Sequence, residues 1–153
     1  MVGSRGYPVK VASMFVLALA GCFWRSYGRV VATHAELLAA MARKGADLVA
    51  SDRLTAESMP ELTYPLERTE AFVLRARARA GTEPPASLAA LEALAARYRA
   101  FVDALDRDRR ELRGEAARAA LAGPLADVEA AAAAVASALR AEGRAPAVSA
   151  GAG

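Results

Sequence analysis

Isoleucine, asparagine and glutamine are absent from this chain of 153 residues, whose length is that of one domain. The single cysteine excludes an internal disulfide framework, and the single histidine excludes a metal site built from several histidines. With five threonines and no run of alternating β-branched residues, an all-β fold is strongly disfavoured. Alanine is abundant, with 41 residues, and arginine outnumbers lysine 18 to 2. These excesses are typical of a coding bias, so they carry little functional meaning.

The first 22 residues have the layout of an export signal. Arg5 and Lys10 are the charged residues of this segment, and a largely apolar run over 11–20 follows them. A basic segment, about 7–15 apolar residues and small residues before a cleavage site describe a secretory signal. The run is too short to cross a bilayer, which takes about 20 apolar residues, and Arg25 ends any extension of it.

The sequence Leu19-Ala20-Gly21-Cys22 closes this segment. It resembles the lipobox of bacterial lipoproteins, and the resemblance covers residues 1–22. In that family the cysteine thiol receives a diacylglyceryl group, signal peptidase II cleaves before the cysteine, and the new amino group is usually acylated, for example with palmitate. The resemblance implies that residues 1–21 are removed, that Leu19, Ala20 and Gly21 are recognised by the peptidase, and that Cys22 is lipidated. An ordinary signal peptide, or a short membrane anchor that contains a cysteine, is the alternative interpretation.

The resemblance also implies a location. One acyl chain binds a membrane marginally, at about 0.8 kcal/mol per buried CH₂ group, whereas two or more anchor a protein stably. In lipoproteins an aspartate after the lipidated cysteine usually retains the protein in the inner membrane. Phe23 stands at that position here, so the outer membrane is favoured in an organism that has one, with the protein on its periplasmic face.

Without its leader the chain is almost neutral. Removing residues 1–21 takes away two basic residues and leaves 18 basic against 17 acidic ones, a net charge of +1. Nucleic-acid binding calls for a basic stripe or a domain pI above about 9. Arg75, Arg77 and Arg79 form the local candidate, but helical spacing separates Arg77 from the other two. We therefore expect a solvated helix face at these arginines and no nucleic-acid partner.

Apolar periodicity predicts four helices, of which the first two are separated by prolines. The first covers about 26–58, although a capping-box pattern over 33–36 also fits a later start. Pro60 and Pro65 mark the connection, and the second helix covers about 65–80. The positions expected to face the core are Val30, His34, Leu37, Met41 and Leu48 in the first helix and Leu66, Thr69, Phe72 or Val73, and Ala76 in the second.

The third helix has the clearest pattern, and the fourth is rich in alanine. A near-heptad seam from residue 86 onward misses one step, at Asp108. The helix is predicted to continue past Gly114 to residue 121 and to break at Pro124, where the fourth helix, about 124–142, begins. The inward positions are Leu91, Leu94, Tyr98, Phe101, Leu105 and Leu112 in the third helix and Leu125, Val128, Ala132, Val135 and Leu139 in the fourth.

Short connections make consecutive helices antiparallel neighbours, so the sequence predicts an all-α fold. The expected architecture is an elongated up-and-down bundle of three to four helices whose lengths alternate long, short, long, short. We divide the chain into a lipoprotein signal peptide over 1–21, a lipidated cysteine and tether over 22–30, a helical bundle over 31–142 and a disordered tail over 143–153.

The residues predict no catalytic, cofactor or metal site, so we expect a protein that is not an enzyme. Motifs for haem attachment, di-iron bundles, phosphate loops and serine-nucleophile elbows do not occur in the sequence. His34 is interpreted as a residue packed on the first helix. Glu67 and Glu70 lack a shielding pocket that acid–base catalysis would need. The charged segment 103–115, with Asp103–Arg107 and Asp106–Arg110 at i, i+4 spacing, is interpreted as a solvated face, with docking of an envelope partner as the alternative.

These observations predict a lipid-anchored envelope protein whose helical bundle is a structural or protein-interaction module with an envelope partner. An alternative is an enzyme or small-ligand binder with a pocket between helices, formed by His34, Tyr64 and Tyr98. Another is an escort role that resembles the pilotins, helical lipoproteins that bring secretin subunits to the outer membrane. That resemblance rests on size, helicity and the anchor.

Overall fold

The structure, a computed structural model, describes residues 10–111 and 114–145; for residues 10–24 and 110 it describes the backbone and not the side chain. The described part is all-α and has no strand, as predicted. Four helices and a short 3₁₀ turn at Ala56–Ser58 make up the fold. The helices are α1, Lys10–Ala50; α2, Met59–Ala80; α3, Ala86–Glu111; and α4, Gly114–Ala141.

The four helices run alternately up and down. Helices α1 and α3 contact each other and both of the remaining helices, whereas α2 and α4 lie on separate sides of this central pair. Ion pairs mark the antiparallel register: Lys44 of α1 binds Glu61 at the start of α2, and Arg77 near the end of α2 binds Glu92 near the start of α3. The bundle therefore has one end at the start of α1 and the end of α4.

The buried stripe of α1 is one position away from the predicted stripe. Val30, His34, Met41 and Leu48 are only partly buried, and Leu37 is 38% exposed. The buried stripe combines large residues, such as Leu38, with small ones, such as Ala42 and Gly45, where neighbouring helices approach closely. From residue 25 onward, the buried positions of α1 are Tyr27, Gly28, Val31, Ala35, Leu38, Ala39, Ala42, Gly45 and Val49.

Helix α1 ends earlier than predicted, at Ala50, and α2 begins earlier, at Met59. The early start of α2 is compatible with its prolines, because Pro60 lies in the first turn, where a backbone N–H has no intrahelical partner. Pro65 lies inside the helix and is buried. The predicted inward positions of α2 are confirmed: Leu66, Thr69, Phe72, Val73 and Ala76 are all buried.

The boundary between the third and fourth helices is not where the sequence predicted it. Helix α3 ends at Glu111, and α4 begins at Gly114, whose φ of +58° is a left-handed conformation that glycine adopts without strain. Pro124 lies inside α4 and does not interrupt the helix. As a result α4 has 28 residues against 26 for α3, so the predicted alternation of long and short helices is wrong. Leu112 lies outside the described residues.

The seams of α3 and α4 are confirmed. The predicted α3 residues from Leu91 to Leu105 are fully buried, and in α4 Val128, Val135 and Leu139 are buried while Leu125 and Ala132 are partly buried. A central layer of the core forms around Gly45 of α1, where an added Cβ would lie 2.7 Å from Leu105 Cδ1. In the same layer the hydroxyl of Tyr98 donates a 2.8 Å hydrogen bond to the carbonyl oxygen of Leu62.

The folded body extends beyond the predicted limits of the bundle at both ends. Tyr27, assigned to the tether over 22–30, is 1% exposed and belongs to the core, so helix α1 is part of the bundle before residue 31. The later helix start over 33–36 is not observed, since Thr33 lies within α1 and its hydroxyl bonds the carbonyl of Arg29. In the predicted tail over 143–153, Arg144 contacts Tyr27. Residues 146–153 lie outside the described part.

Candidate functional site at the base of the bundle

The end of the bundle that carries residues 25–31, 74–90 and 136–145 is called the base here. It brings together residues 25–31 of α1, the end of α2, the α2–α3 turn, the start of α3 and the end of α4 with the residues that follow it. Tyr27 links three of these helices at the base: its ring in α1 lies 6.3 Å from the ring of Phe72 in α2, and its hydroxyl lies 3.1 Å from Ser87 Oγ in α3. The base is therefore the part of the described bundle that follows Cys22 directly along the chain.

A carboxylate from the residue that follows α4 caps the first turn of α3. Glu142 accepts a 2.8 Å hydrogen bond from the backbone N–H of Ser87 through Oε1 and a second, also 2.8 Å, from the Ser87 hydroxyl through Oε2. The first turn of α3 contains no acidic residue of its own. Because the first N–H groups of a helix lack intrahelical partners and attract negative charge, Glu142 acts as a cap supplied by the segment after α4.

The Tyr27 hydroxyl completes this network. Since Ser87 donates its single hydroxyl hydrogen to Glu142, the bond between Tyr27 and Ser87 has the tyrosine as its donor. Burial raises the pKa of Tyr27, which keeps its hydroxyl protonated. Arg144 lies over the Tyr27 ring at 5.4 Å and pairs with Glu142 at 3.5 Å. We call Tyr27, Ser87, Glu142 and Arg144 the basal clamp.

Gly28 allows the end of α4 to approach α1. A Cβ at this position would lie far inside contact distance of the Arg144 carbonyl oxygen. The backbone after α4 is held there by a 2.8 Å hydrogen bond from the Arg144 N–H to the carbonyl of Leu139. Glycine is thus required at position 28 by a backbone contact between the first helix and the end of the last.

Charge is distributed unequally between the base and the rest of residues 22–153. The base contains seven arginines and two glutamates, a formal charge of +5, whereas the remainder has 11 basic and 15 acidic residues, a formal charge of −4. Glu92, just outside the base, pairs with Arg77 and offsets one of the positive charges of the base. The near-neutral total therefore conceals a polarised molecule. The base residues are Arg25, Arg29, Arg75, Arg77, Arg79, Arg140 and Arg144 with Glu83 and Glu142.

The proposed lipidation residues precede the base. Helix α1 passes through Leu19, Ala20, Gly21 and Cys22, whose side chains lie outside the described part of the structure. Cys22 comes five residues before Tyr27, the first core residue of the described bundle. The described core therefore needs none of the residues that the lipobox resemblance assigns to the cleaved leader.

His34 is held by a hydrogen bond and by an aromatic contact. The Thr69 hydroxyl donates to the carbonyl of Pro65 at 2.8 Å, so it accepts from the Nδ1–H of His34 at 2.9 Å. The imidazole stacks on Phe72 with ring centroids 5.0 Å apart. Burial, together with the positive charges of Arg68 and Arg75, lowers the pKa of His34. A neutral, packed imidazole agrees with the interpretation made from the sequence.

The three residues of the alternative pocket do not come together. Tyr98 is fully buried and bonded to Leu62, Tyr64 is 59% exposed beside Arg68, and His34 packs on Phe72. None of the three lines either of the two cavities that can be described. One, about 360 Å³, lies between α1 and α4 and is lined mainly by alanines; the other, about 370 Å³, lies between α2 and α3.

The other polar candidates are surface ion pairs. Glu70 binds Arg99 of α3 through both carboxylate oxygens, and Glu67 is exposed, so the two acids do not share a site. In the segment 103–115 the described ion pairs include Arg109–Asp106 at 2.8 Å and Arg107 with the buried Asp108 at 3.2 Å, and the side chain of Arg110 lies outside the described part. The exposure of Arg75, Arg77 and Arg79 matches the predicted solvated face.

Within the described residues, no group of three or more His, Cys, Asp or Glu side chains could hold a metal ion. Helix α4 is long and apolar enough by composition to cross a membrane. Its larger apolar side chains are nevertheless buried in the bundle, and Glu129 pairs with Arg43 of α1 while Asp127 pairs with Arg97 of α3. The hydropathy of α4 comes mainly from exposed alanines, so we describe it as a bundle helix.

The basal clamp was not predicted from the sequence. Its members belong to three separate segments, and Ser87, Glu142 and Arg144 have no local pattern in common. The missing acidic residue in the first turn of α3 was the one available signal that a cap comes from elsewhere.

Comparisons with protein-family models, with curated proteins and with solved structures give no match to this chain.

Proposed function

We propose that this chain is a bacterial lipoprotein, cleaved before Cys22, lipidated at that residue and carrying its bundle as a non-enzymatic structural or interaction module in the cell envelope. The observation that carries the proposal is Leu19-Ala20-Gly21-Cys22 at the end of a basic and then apolar leader. The outer membrane, on its periplasmic side, is the proposed location, because Phe23 follows the cysteine. The partner of the module is another protein of the envelope.

The position of the core supports this proposal. Cleavage before Cys22 leaves Tyr27 and every other described core residue in the mature chain. Only four residues, 23–26, separate the lipidated cysteine from the first described core residue, so the bundle stays next to the membrane that holds it. A catalytic alternative has no comparable support, since His34, Tyr64 and Tyr98 have separate surroundings.

The test is mass spectrometry of the protein after expression in a bacterium. A lipoprotein gives a chain that begins at residue 22 and carries the added mass of the diacylglyceryl and acyl groups. The Cys22→Ser variant is expected to keep its leader and to lose the lipid, whereas Ser26→Ala, close in sequence, is the matched control that is processed normally. A wild-type chain with an unmodified thiol, or the same processing in Cys22→Ser, contradicts the proposal.

A further inference from the structure

The arginines of the base lie close to the proposed lipid anchor. Since α1 is continuous from Lys10 to Ala50, Tyr27 lies about 7.5 Å along the helix axis from Cys22, at about 1.5 Å per residue. Even a fully extended chain of this length spans at most about 18 Å. Electrostatic attraction acts over a Debye length of about 8–10 Å at moderate ionic strength, so the base lies within reach of the charges on a membrane surface.

The side chains at the base suit phosphate groups. Arg25, Arg29, Arg75 and Arg140 are exposed, and they come from three different helices, so they surround the base instead of forming one face of a helix. A guanidinium group binds phosphate oxygens in a bidentate geometry and is less strongly hydrated than an ammonium group. The remainder of the mature chain carries a net charge of −4, and an anionic surface repels it.

We propose that the base docks on the headgroups of anionic phospholipids and holds the bundle upright on the membrane, an inference that rests on the proposed lipid anchor at Cys22. The lipid supplies attachment, and the arginines supply orientation. With α3 about 39 Å long, at about 1.5 Å per residue, the opposite end of the bundle, with the turn over 51–58, then lies about 40 Å from the bilayer. That end and the sides of the bundle remain accessible to a protein partner.

The orientation can be measured with one fluorophore on the lipidated full chain. Thr82→Cys places a label in the exposed α2–α3 turn at the base, and Ala56→Cys places one at the exposed opposite end. Because Cys22 carries the lipid, each variant binds a single maleimide label, and mass spectrometry counts the labels. The quencher is a nitroxide on the headgroup of a trace lipid, in vesicles of phosphatidylglycerol with phosphatidylethanolamine or of phosphatidylcholine alone.

Docking predicts strong quenching at position 82 and weak quenching at position 56 in the anionic vesicles. The difference is expected to disappear in phosphatidylcholine vesicles and at high salt. Replacing Arg25, Arg29 and Arg140 together by glutamine is expected to lower the docked-to-undocked ratio about a hundredfold, at about fivefold per arginine near an anionic surface. The matched control removes the same charge elsewhere, by Arg53→Gln, Arg97→Gln and Arg118→Gln, and is expected to keep the wild-type quenching.

The outcomes separate this inference from the proposed function. If the chain binds two labels and does not sediment with either kind of vesicle, the lipid anchor is refuted and the docking with it. If it sediments with both kinds but positions 82 and 56 are quenched equally, or quenching ignores lipid charge, the anchor stands and the docking is refuted. An equal loss of quenching in the triple variant and in its control also overturns the docking.

Discussion

The base and the central layer of the bundle use the same residue types, but these residues contact apolar side chains in the central layer and polar or charged groups at the base. Each contains one tyrosine whose hydroxyl reaches another helix and one glycine of α1 without room for a side chain. In the central layer Gly45 faces the ends of apolar side chains, such as Leu105 Cδ1, and Tyr98 bonds one carbonyl. At the base Gly28 faces a backbone carbonyl, and Tyr27 joins a network that ends in a charged pair.

This difference indicates how each of the two layers contributes to the stability of the bundle. Apolar side chains in the central layer stabilise the bundle as a whole, because each of them removes a large area from water. The basal clamp fastens three chain segments by groups that are partly in contact with solvent, so its contribution is smaller and local. Substitutions in the two layers therefore separate global from local stabilisation.

Phe101→Ala is expected to cost about 3–5 kcal/mol of unfolding free energy, because it leaves a cavity in the fully buried central layer. Urea denaturation followed by circular dichroism measures the loss. Leu74→Ala is the control, since Leu74 is 72% exposed and its truncation is expected to change stability by about 0.5 kcal/mol or less. Equal losses in the two variants would contradict the assignment of the central layer as the main source of stability.

Glu142→Ala is expected to cost about 2 kcal/mol, since it removes two charge-assisted hydrogen bonds to Ser87. Hydrogen exchange is expected to accelerate at the start of α3 and the end of α4 while the central layer keeps its protection. Glu129→Ala, in the helix that precedes Glu142, is the matched control, because Glu129 forms an exposed pair with Arg43 at 3.4 Å that is worth about 1 kcal/mol or less. Faster exchange throughout the bundle would show that the clamp acts globally.

Gly28→Ala is expected to cost about 1 kcal/mol net. Forcing the Arg144 carbonyl away costs about 1–3 kcal/mol, and the better helix propensity of alanine returns about 1 kcal/mol. In a chain that ends at Glu142 the carbonyl is gone, so the same substitution is expected to stabilise the protein by up to about 1 kcal/mol. Thermal unfolding of the full-length and shortened chains, each with and without Gly28→Ala, measures both the expected loss and the expected gain of stability. A loss of stability in the shortened chain as well would refute the backbone contact as the cause.

The fold class and the seams of α2, α3 and α4 could be predicted, because large apolar residues at helical spacing identify a buried face. The seam of α1 could not. Its buried face contains Ala35, Ala42 and Gly45, and in a chain with 41 alanines small residues do not stand out from the background. Contact of α1 with three helices then leaves the larger residues, such as Val30 and Met41, only partly buried.

Glycine and proline were misinterpreted for a related reason. Pro124 is predicted to break a helix, yet α4 continues through it and begins at Gly114, whose φ is +58°. The sequence contains both residues but not their backbone angles. The basal clamp shows the same limit, since Ser87 and Glu142 are 55 positions apart and meet only through the antiparallel return of α4.

The smallest expected effect concerns His34, which lies between the two layers. Burial, with Arg68 and Arg75 nearby, lowers its pKa below the ordinary value of 6.5, so between these two values the unfolded chain binds more protons than the folded one. Stability is therefore expected to be complete above 6.5 and to decrease as the pH falls through the folded pKa. The bond from Nδ1–H to Thr69 survives protonation, so the loss comes mainly from the burial of the added charge and, to a smaller extent, from its repulsion by the two arginines.

The measurement compares wild type with His34→Gln at about pH 7 and about pH 5.5, a range above most carboxylate titrations. Wild type is expected to lose more unfolding free energy between these values than the variant does, because glutamine binds no proton. The arginines can be separated from burial by Arg75→Gln, which is expected to reduce the loss without abolishing it. If wild type and His34→Gln lose the same free energy, the acid sensitivity comes from another group, and the histidine is as inert to pH as the layers on either side of it.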